Sequence, residues 1–404
     1  MNAPRVLLLT TYYHPVLGGV ETHARQLAVA LKARGFTVEV LTKRVSRDLA
    51  PRDLIDGIEV RRLRPIGDRS GLGKWLLLPS AFVALLLRAR RFDIVCCIDY
   101  RGIGLAAVAA GRLLRRPVVF QAGTTGVVSC SNWNLSLARW HVRPDGRLAA
   151  ALTWPARRSY AAADRYVCIS HEIEQEALSV GIPPARVHYL PHGVALERFR
   201  PPEPGEREWV RKDEGWPLDR LLCLFVGRLS TEKGILELLE AWRLVDHPGA
   251  LLVVVGPEMP AHPWNAGPQA RRFVADHGLE DRVVLHGPTA DPSRLYRTAD
   301  LFVQPSHFEA FGISVIEAMA SGVPVVGSRV GGMLDFLVDG QNALLSEPRS
   351  APDLARQLRR MLDDAALRRR LAEAGHATAV REFDEQKLFD KYAKLLVEVA
   401  AARR

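Results

Sequence analysis

The chain lacks the cysteine pattern and the leader segment of an exported or zinc-stabilised protein. Its five cysteines are scattered and include no CxxC pair, which argues against a disulfide framework and a zinc site. The strand-like run Val6–Thr10 follows Met1 closely, without the charged and apolar regions of a secretory signal. We therefore expect no export signal and a reducing, cytoplasmic location.

The chain also lacks an apolar run long enough to cross a bilayer. Its longest, residues 75–87, is interrupted by Pro79 and is well short of the roughly 20 residues that a membrane-spanning helix needs. Basic residues flank this run: Lys74, Arg88, Arg90 and Arg91. The pattern fits either peripheral contact with an anionic membrane or a buried helix of an α/β domain with basic ends.

Acidic residues are scarce in the first half only. Residues 1–200 hold 29 Lys and Arg against 15 Asp and Glu, whereas residues 201–404 hold 26 against 30, for a net charge of +10. No helix-turn-helix, zinc-finger or RNP-type pattern accompanies the basic half, so it predicts no nucleic-acid partner. The basic half indicates a face that binds acceptors carrying phosphate or located at a membrane surface. The alternative is an arginine-rich solvated surface.

Short runs rich in Val, Ile and Leu alternate regularly with segments of helix length. This alternation is typical of βα units around a parallel sheet, and 404 residues exceed what one hydrophobic core usually holds. The strand candidates are Val6–Thr10, Thr37–Thr42, Ile58–Leu63, Ile94–Ile98, Pro117–Gln121, Tyr166–Ser170, Leu221–Val226, Leu251–Val255, Val283–His286, Leu301–Gln304 and Val323–Gly327. We predict an α/β fold of two domains, 1–200 and 201–384, with a proline-rich linker in 195–218 and a final helix in 385–404.

The most informative motif is EAFGISVIE, from Glu309 to Glu317, which lies between two strand candidates. Its centre, residues 311–314, opens a helix whose unpaired amides and positive dipole end favour a phosphate. Glu317 is placed to accept hydrogen bonds from two ribose hydroxyls, and Glu309 to face a sugar bound beside the phosphates. Either carboxylate alone indicates only a helix-start charge, but two of them around a Phe-Gly turn favour a binding site.

The loop from Gly227 to Gly234 directly follows the strand candidate Leu221–Val226. Loops in this position lie at the carboxyl edge of the sheet, where open α/β folds bind ligands. The guanidinium of Arg228 and the ammonium of Lys233 suit a departing diphosphate, whose negative charge grows as the sugar bond breaks. By itself, this spacing of Arg and Lys is also typical of a surface loop.

Two adjacent glycines, Gly18 and Gly19, follow the first strand candidate and precede a helix that begins near Val20. Glycines in such a turn let a ligand approach backbone amides closely. We therefore count both as candidates for donor binding. The alternative is a tight turn between strand and helix that binds no ligand.

Together these motifs resemble the family 4 retaining glycosyltransferases, which have the GT-B fold of two facing Rossmann-like domains. The matching segments are Gly18–Glu21, Pro191–Val194, Gly227–Gly234, Glu309–Glu317, Gly322–Val325 and Gly331–Gly332. The resemblance implies that Arg228 and Lys233 hold the diphosphate. It implies that Glu317 holds the ribose and Glu309 the hydroxyls of the transferred sugar, and that the final helix packs back on the N-terminal domain.

Two positions depart from the family pattern. Many relatives place a histidine at the end of the fifth strand of the first domain, beside the anomeric carbon, where this chain has Gln121. A glutamine offers a backbone carbonyl and an amide to the sugar but does not titrate. We expect Gln121 to face the cleft; the alternative is that residues 123–125 line it instead. Asp335 stands where the family usually has a Glu.

The resulting hypothesis is a retaining hexosyltransferase that uses a UDP- or GDP-linked sugar and needs no cofactor and no metal ion, since metal-ligand spacing is absent from the sequence. The expected acceptor is a cell-envelope glycan, a lipid-linked molecule or a small molecule, met in the cytoplasm or at the inner face of the plasma membrane. The alternatives are a GT-B epimerase or phosphorylase and a non-catalytic nucleotide-sugar-binding protein. The catalytic candidates are Gln121, Arg228, Lys233 and Glu309. The donor-binding candidates are Gly18, Gly19, Arg228, Lys233, Phe311, Gly312, Ile313, Ser314 and Glu317.

Overall fold

The computed structural model describes residues 3–16, 18–67, 72–131, 141, 143, 146–260 and 263–402, with the backbone alone for 72–75. The chain forms two compact units. Unit 1 is Met1–Pro191 together with Gln386–Arg404, and unit 2 is His192–Glu385. The boundary after Pro191 precedes the one expected at residue 200, and part of the expected linker forms a helix within unit 2.

Unit 1 alternates strands and helices along the chain. Its elements are β1 (Arg5–Thr10), α1 (Gly19–Ala33), β2 (Thr37–Lys43), β3 (Arg52–Ile55), β4 (Ile58–Leu63), α2 (Leu72–Leu86), β5 (Ile94–Ile98), α3 (Ile103–Leu114), β6 (Val118–Ala122), α4 (Arg147–Tyr160), β7 (Arg165–Cys168), α5 (His171–Ser179) and β8 (Val187–Tyr189). The strands form one sheet in the order β3-β4-β2-β1-β5-β6-β7-β8. Neighbouring strands are parallel except β3 and β4.

The direction of each connection decides which face of the sheet its helix covers, because crossovers between parallel strands are right-handed. The connection through α1 runs from β1 to β2, whereas those through α2, α3, α4 and α5 run the opposite way along the sheet. Helix α1 therefore covers one face and the other four helices cover the opposite face. Strands β5 and β6 are buried at every position, as expected for central strands covered on both sides.

Unit 2 is built on a second parallel sheet. Its elements are α6 (Glu206–Asp213), β9 (Leu221–Val226), α7 (Ile235–Val245), β10 (Ala250–Val255), α8 (Gly267–Asp276), β11 (Val283–Gly287), α9 (Ser293–Tyr296), β12 (Leu301–Gln304), α10 (Ile313–Ala320), β13 (Val325–Ser328), β14 (Leu344–Ser346), α11 (Ala351–Asp363) and α12 (Ala365–Glu382). The strand order is β11-β10-β9-β12-β13-β14, and all neighbours are parallel. The prediction of two parallel-sheet α/β domains is confirmed.

The final helix, α13 (Glu385–Ala401), packs on the α1 face of unit 1. Its apolar stripe, including Phe389, Tyr392 and Leu396, is buried in the same core cluster as side chains of α1, β1 and β5. At the surface, Arg34 donates to Asp390 at 2.6 Å. The prediction that the final helix packs back on the N-terminal domain is confirmed.

Helix α2 contains most of the longest apolar run. It buries Leu77, Ala81 and Leu85, whereas the side chains of Lys74 and Trp75 lie outside the described residues. In the part of the chain that the structure describes, no helix has the length and apolarity needed to cross a membrane.

Candidate functional site

The connections of unit 2 change direction between β9 and β12. From β9 the chain proceeds to β10 and β11 at one edge of the sheet, and from β12 it proceeds to β13 and β14 at the other. In open α/β sheets, the loops that follow two such neighbouring strands flank a crevice where ligands bind. Here these loops are 227–234 and 305–312, and they carry Arg228, Lys233 and Glu309.

A glycine lets the two loops approach each other. Gly234 has a φ of +70°, which side chains rarely permit, and a Cβ atom added there would lie 2.0 Å from the carbonyl oxygen of Pro305. Nearby, the amide of His307 donates to the carbonyl of Glu232 at 2.8 Å. The backbone itself therefore fixes the distance between the loops.

Lys233 and Glu309 form an ion pair that bridges the two loops. The Lys233 ammonium donates to Glu309 Oε2 at 2.5 Å, and the two side chains are 18% and 12% exposed. Behind the carboxylate, Ser306 Oγ donates to Glu309 Oε2 at 3.3 Å, and Gln304 Nε2 donates to Ser306 Oγ at 2.8 Å. Because partly buried charges are costly unless they are paired and hydrogen-bonded, this network holds both charged groups in position. The sequence indicated both residues but not their pairing.

Helix α10 begins directly after Gly312, whose φ of +103° places it in a region that favours glycine. The hydroxyl of Ser314 donates to Gln304 Oε1 at 3.0 Å. The ring of Phe311 is buried in an aromatic cluster with His192, Phe336 and Phe383. These two side chains stabilise the helix start, so a ligand there would meet the backbone amides of residues 311–314 rather than their side chains.

Glu317 lies on α10, one turn beyond its start. The phenol of Tyr296 donates to Glu317 Oε2 at 2.8 Å. Burial raises the pKa of Glu317 to about 7, although the Tyr296 hydrogen bond and the charge of Arg198 act in the opposite direction. Glu317 is therefore a desolvated carboxylate close to the helix start. Its neutral hydrogen-bond partner, Tyr296, offsets the cost of desolvation only in part.

Arg228 is the most accessible of the charged candidates in unit 2. Its side chain is 41% exposed, and its Nη2 donates to Glu232 Oε1 at 2.9 Å. Its Nη1 lies 3.6 Å from the sulfur of Met259. The exposed guanidinium therefore has donors that can still turn toward an anionic ligand.

In unit 1, Gly18 and Gly19 form the start of α1. A Cβ atom added to Gly18 would lie 2.2 Å from Glu21 Oε2, so the carboxylate of Glu21 lies directly over this turn. A side chain at position 18 would displace only this flexible carboxylate, so the local packing does not itself require a glycine. A carboxylate near a helix start is itself favoured by the dipole, and its presence there makes this turn a poorer anion site than the one at α10.

Gln121 lies within β6, and its side chain is only 2% exposed. Burial lowers the pKa of His23 to about 4, so this ring is neutral at pH 7 and its Nε2 can accept from Gln121 Nε2 at 2.9 Å. The hydroxyl of Tyr392 donates to Gln121 Oε1 at 3.1 Å. Strand alternation turns Gln121 to the same face as Val119, toward α1 and α13. The expectation that its side chain faces the cleft is corrected, because the side chain is buried against α1 and α13; the alternative with residues 123–125 stays a prediction.

Comparison with known proteins identifies the family. Residues 17–198 match the family described as Glycosyltransferase Family 4, and residues 206–378 match the one described as Glycosyl transferases group 1. The chain is 33% identical to a D-inositol 3-phosphate glycosyltransferase of Acidothermus cellulolyticus, over 90% of this chain and 82% of the relative. It is 32% identical to another of Xylanimonas cellulosilytica, over 99% and 97%. The chain belongs to the family 4 glycosyltransferases.

Solved structures agree on the fold of this glycosyltransferase. Sucrose-phosphate synthase from Thermosynechococcus elongatus superposes with a TM-score of 0.80 at 23% identity, covering 98% of this chain and 100% of that one. Anabaena Alr3699/HepE in complex with UDP-glucose superposes with a TM-score of 0.76 at 20% identity, with the same coverage. These similarities confirm the predicted GT-B fold.

Two charged residues directly after β5, Asp99 and Arg101, were not among the candidates predicted from the sequence of this glycosyltransferase. Asp99 adopts a positive φ of 49°, and its amide donates to the carbonyl of Gln121 at 3.0 Å. Its carboxylate accepts from the Arg101 guanidinium at 2.7 and 2.8 Å, and the charge of Asp99 is the main cause of the raised pKa of Arg101. Their position directly after a central strand was the signal that could have revealed them, since that is the ligand-binding edge of such sheets.

Proposed function

We propose that this glycosyltransferase transfers a hexose-type sugar from a nucleoside diphosphate sugar with retention of anomeric configuration. The observation that carries the proposal is the cluster at the junction of β9 and β12. There the Lys233 ammonium lies 2.5 Å from Glu309. Glu309 belongs to the loop that leads into α10, the helix that carries Glu317. A cation, a row of backbone amides and two carboxylates match the diphosphate, the ribose and the sugar of such a donor.

Each group has a distinct task in this proposal. Arg228 and Lys233 stabilise the negative charge that grows on the diphosphate as the sugar leaves, together with the amides of residues 311–314. Glu317 accepts from the ribose hydroxyls, and Glu309 from hydroxyls of the transferred sugar. In unit 1, we expect residues 123–125, and not the side chain of Gln121, to contact the transferred sugar.

We also propose that no metal ion takes part, since two cations already serve the diphosphate. Among the described residues no group of three or more His, Cys, Asp or Glu side chains is arranged to hold a metal. Turnover that is unchanged by EDTA is the expected result. Activity that disappears with EDTA and returns with a divalent cation would overturn this part of the proposal.

The proposed acceptor carries a phosphate. The curated relatives named above are D-inositol 3-phosphate glycosyltransferases, and residues 1–200 carry an excess of basic residues, 29 against 15. A phosphorylated polyol, free or as the head group of a lipid at the inner membrane face, satisfies both observations. Equal turnover on a neutral glycan and on its phosphorylated form would contradict this choice of acceptor.

The donor is tested first by thermal shift with UDP-, GDP-, ADP- and TDP-linked sugars. A donor at about 100 times its dissociation constant is expected to stabilise the protein by roughly 2.7 kcal/mol. The selected donor is then incubated with phosphorylated and unphosphorylated acceptors, and the anomeric configuration of the product is read by NMR. An inverted product would refute the retaining mechanism, and conversion of the donor without acceptor would favour an epimerase. Donor binding with no turnover on any acceptor would favour a non-catalytic binding protein.

A further inference from the structure

Three helices of unit 1 form a continuous outer layer. Helices α2, α3 and α4 follow one another on the face of the sheet opposite α1, because their connections all run in the same direction. Neighbouring pairs in this layer pack against each other. We call the solvent side of these three helices, with the residue that follows each, the outer helical face.

Large apolar side chains are exposed on the outer helical face. They are Leu76, Val83, Leu87, Leu113, Leu148, Leu152 and Trp154, each more than half exposed. On α1, which covers the opposite side of the sheet, none of the described large apolar side chains is more than half exposed; Val29, at 40%, is the most exposed of them. Scattered exposed apolar residues are normal on protein surfaces. Here, however, seven of the ten large apolar side chains that are more than half exposed in the described part of the chain lie on one layer, and such a concentration marks an interaction site.

The same helices are free of negative charge. Helices α2, α3 and α4 contain no Asp or Glu, whereas the next helix in the row, α5, contains three Glu. Arginines alternate with the apolar side chains instead: Arg112, Arg115, Arg147 and Arg158. In the described part of the chain, none of these four has an acidic group within 4.0 Å. Arg158 lies over the ring of Trp154, 5.6 Å from its centroid.

A basic recess adjoins this face at the ends of α3 and α4. It has a volume of about 530 Å³ and is lined by four arginines, Arg112, Arg158, Arg165 and Arg186. The one carboxylate in its lining, Asp164, accepts a hydrogen bond from the amide of Val118 at 2.8 Å. Four arginines in the lining of one recess match the phosphate of a lipid head group, because a guanidinium can bind phosphate through paired N–H donors.

We propose that the outer helical face docks on a membrane that contains anionic phospholipids. The apolar side chains enter the head-group region, the surrounding arginines contact lipid phosphates, and the recess holds one head-group phosphate. Apolar side chains spread over three helices that carry arginines but no Asp or Glu fit an extended anionic surface, which needs no specific partner geometry. This inference deepens the membrane location in the proposed function, but it does not depend on turnover.

The test is co-sedimentation of the full chain with vesicles of phosphatidylcholine alone or mixed with phosphatidylglycerol. Binding is expected only to the anionic vesicles and should weaken as salt is added. Each arginine near such a surface is expected to raise the partition coefficient roughly fivefold, so Arg112→Gln with Arg158→Gln should lower it roughly 25-fold. Leu148→Ser, Leu152→Ser and Trp154→Ser together should abolish binding.

A matched control pair replaces equally exposed residues outside the face, Leu54→Ser and Trp209→Ser, which are 70% and 62% exposed. These variants should bind vesicles like the original chain, and unchanged melting temperatures show that every variant is folded. The proposal fails if anionic vesicles do not sediment the chain at low salt, or if the controls weaken binding equally. It also fails if the face instead joins two copies of the chain, seen as a dimer that the serine variants dissociate. Turnover on a soluble acceptor that persists without vesicle binding would leave the proposed function standing and remove the membrane inference alone.

Discussion

Replacing Glu317 by glutamine should stabilise the protein and lower its affinity for the donor. Burial raises the pKa of Glu317 to about 7 from its ordinary 4.5. Between these two values the folded chain holds a proton that the unfolded chain has already lost, so stability falls as the pH rises from about 4.5 to 7. The difference corresponds to about 3 kcal/mol at pH 8. Glu317→Gln removes this cost, since a neutral amide keeps the shape and can still accept from Tyr296.

The assay is urea unfolding at pH 5 and at pH 8, followed by a probe in unit 2 such as Trp242, which is buried in its core. The variant should be more stable than the original chain by less than about 1 kcal/mol at pH 5 and by about 3 kcal/mol at pH 8. Parallel pH curves for the two proteins would refute the reasoning, because they would mean that Glu317 does not titrate in this range.

Donor binding should respond to pH in the opposite sense. If ribose hydroxyls donate to the ionised carboxylate, donor affinity should rise up to about pH 7 and level off above it, with roughly a tenfold loss at pH 6. Calorimetric titration of a nucleotide sugar measures this directly, since its diphosphate does not change charge in the range. In Glu317→Gln the affinity should be lower and independent of pH. If donor affinity in the original chain does not change with pH, Glu317 does not bind the ribose.

Three further substitutions probe the remaining parts of the site and the fold. Arg228→Ala should lower turnover by about 100- to 1000-fold with a smaller effect on donor affinity, and steady-state kinetics that show only a raised KM would contradict its role in leaving-group stabilisation. Gly234→Ala should destabilise unit 2 more than Gly278→Ala in urea unfolding, because both glycines have positive φ but only Gly234 would place a Cβ against Pro305, at 2.0 Å. Gln121→Ala should cost unit 1 about 1–3 kcal/mol by leaving buried groups unpaired while calorimetry finds donor affinity unchanged; lost donor binding in a folded variant would restore Gln121 to the site.

The central strands and the site loops could be predicted from the sequence because their signals are local. Every strand candidate corresponds to a strand of the structure, since each is a short apolar run between helix-length segments. The three strands that were missed are β3, β8 and β14, and all three lie at sheet edges. These three strands have only three or four residues and one neighbour each, too few to form a recognisable apolar run. The fourth edge strand, β11, has five residues and was predicted.

The pairings within the site could not be predicted, because they join residues that are distant along the chain. Lys233 and Glu309 are separated by 76 positions, and each loop motif alone is compatible with a free side chain. Gln121 was placed wrongly for the same reason. Its partner Tyr392 lies 271 positions away on α13, and without it the sequence offers no sign that a polar residue at a strand end is turned inward.

The two carboxylates around the start of α10 differ in how their desolvation is compensated. Glu309 has a cationic partner, Lys233, at 2.5 Å. Glu317 instead accepts from the neutral phenol of Tyr296 at 2.8 Å, and the charge of Arg198 offsets its desolvation only in part. A ligand that approaches Glu309 must share it with the ammonium, so binding there is an exchange of partners. A ligand that donates hydroxyls to Glu317 instead supplies compensation that the protein lacks. If the proposed donor binds here, the partly compensated carboxylate of Glu317 gains most from a ribose that donates both hydroxyls. In the protein without ligand the same carboxylate lowers stability, a common trade-off at binding sites.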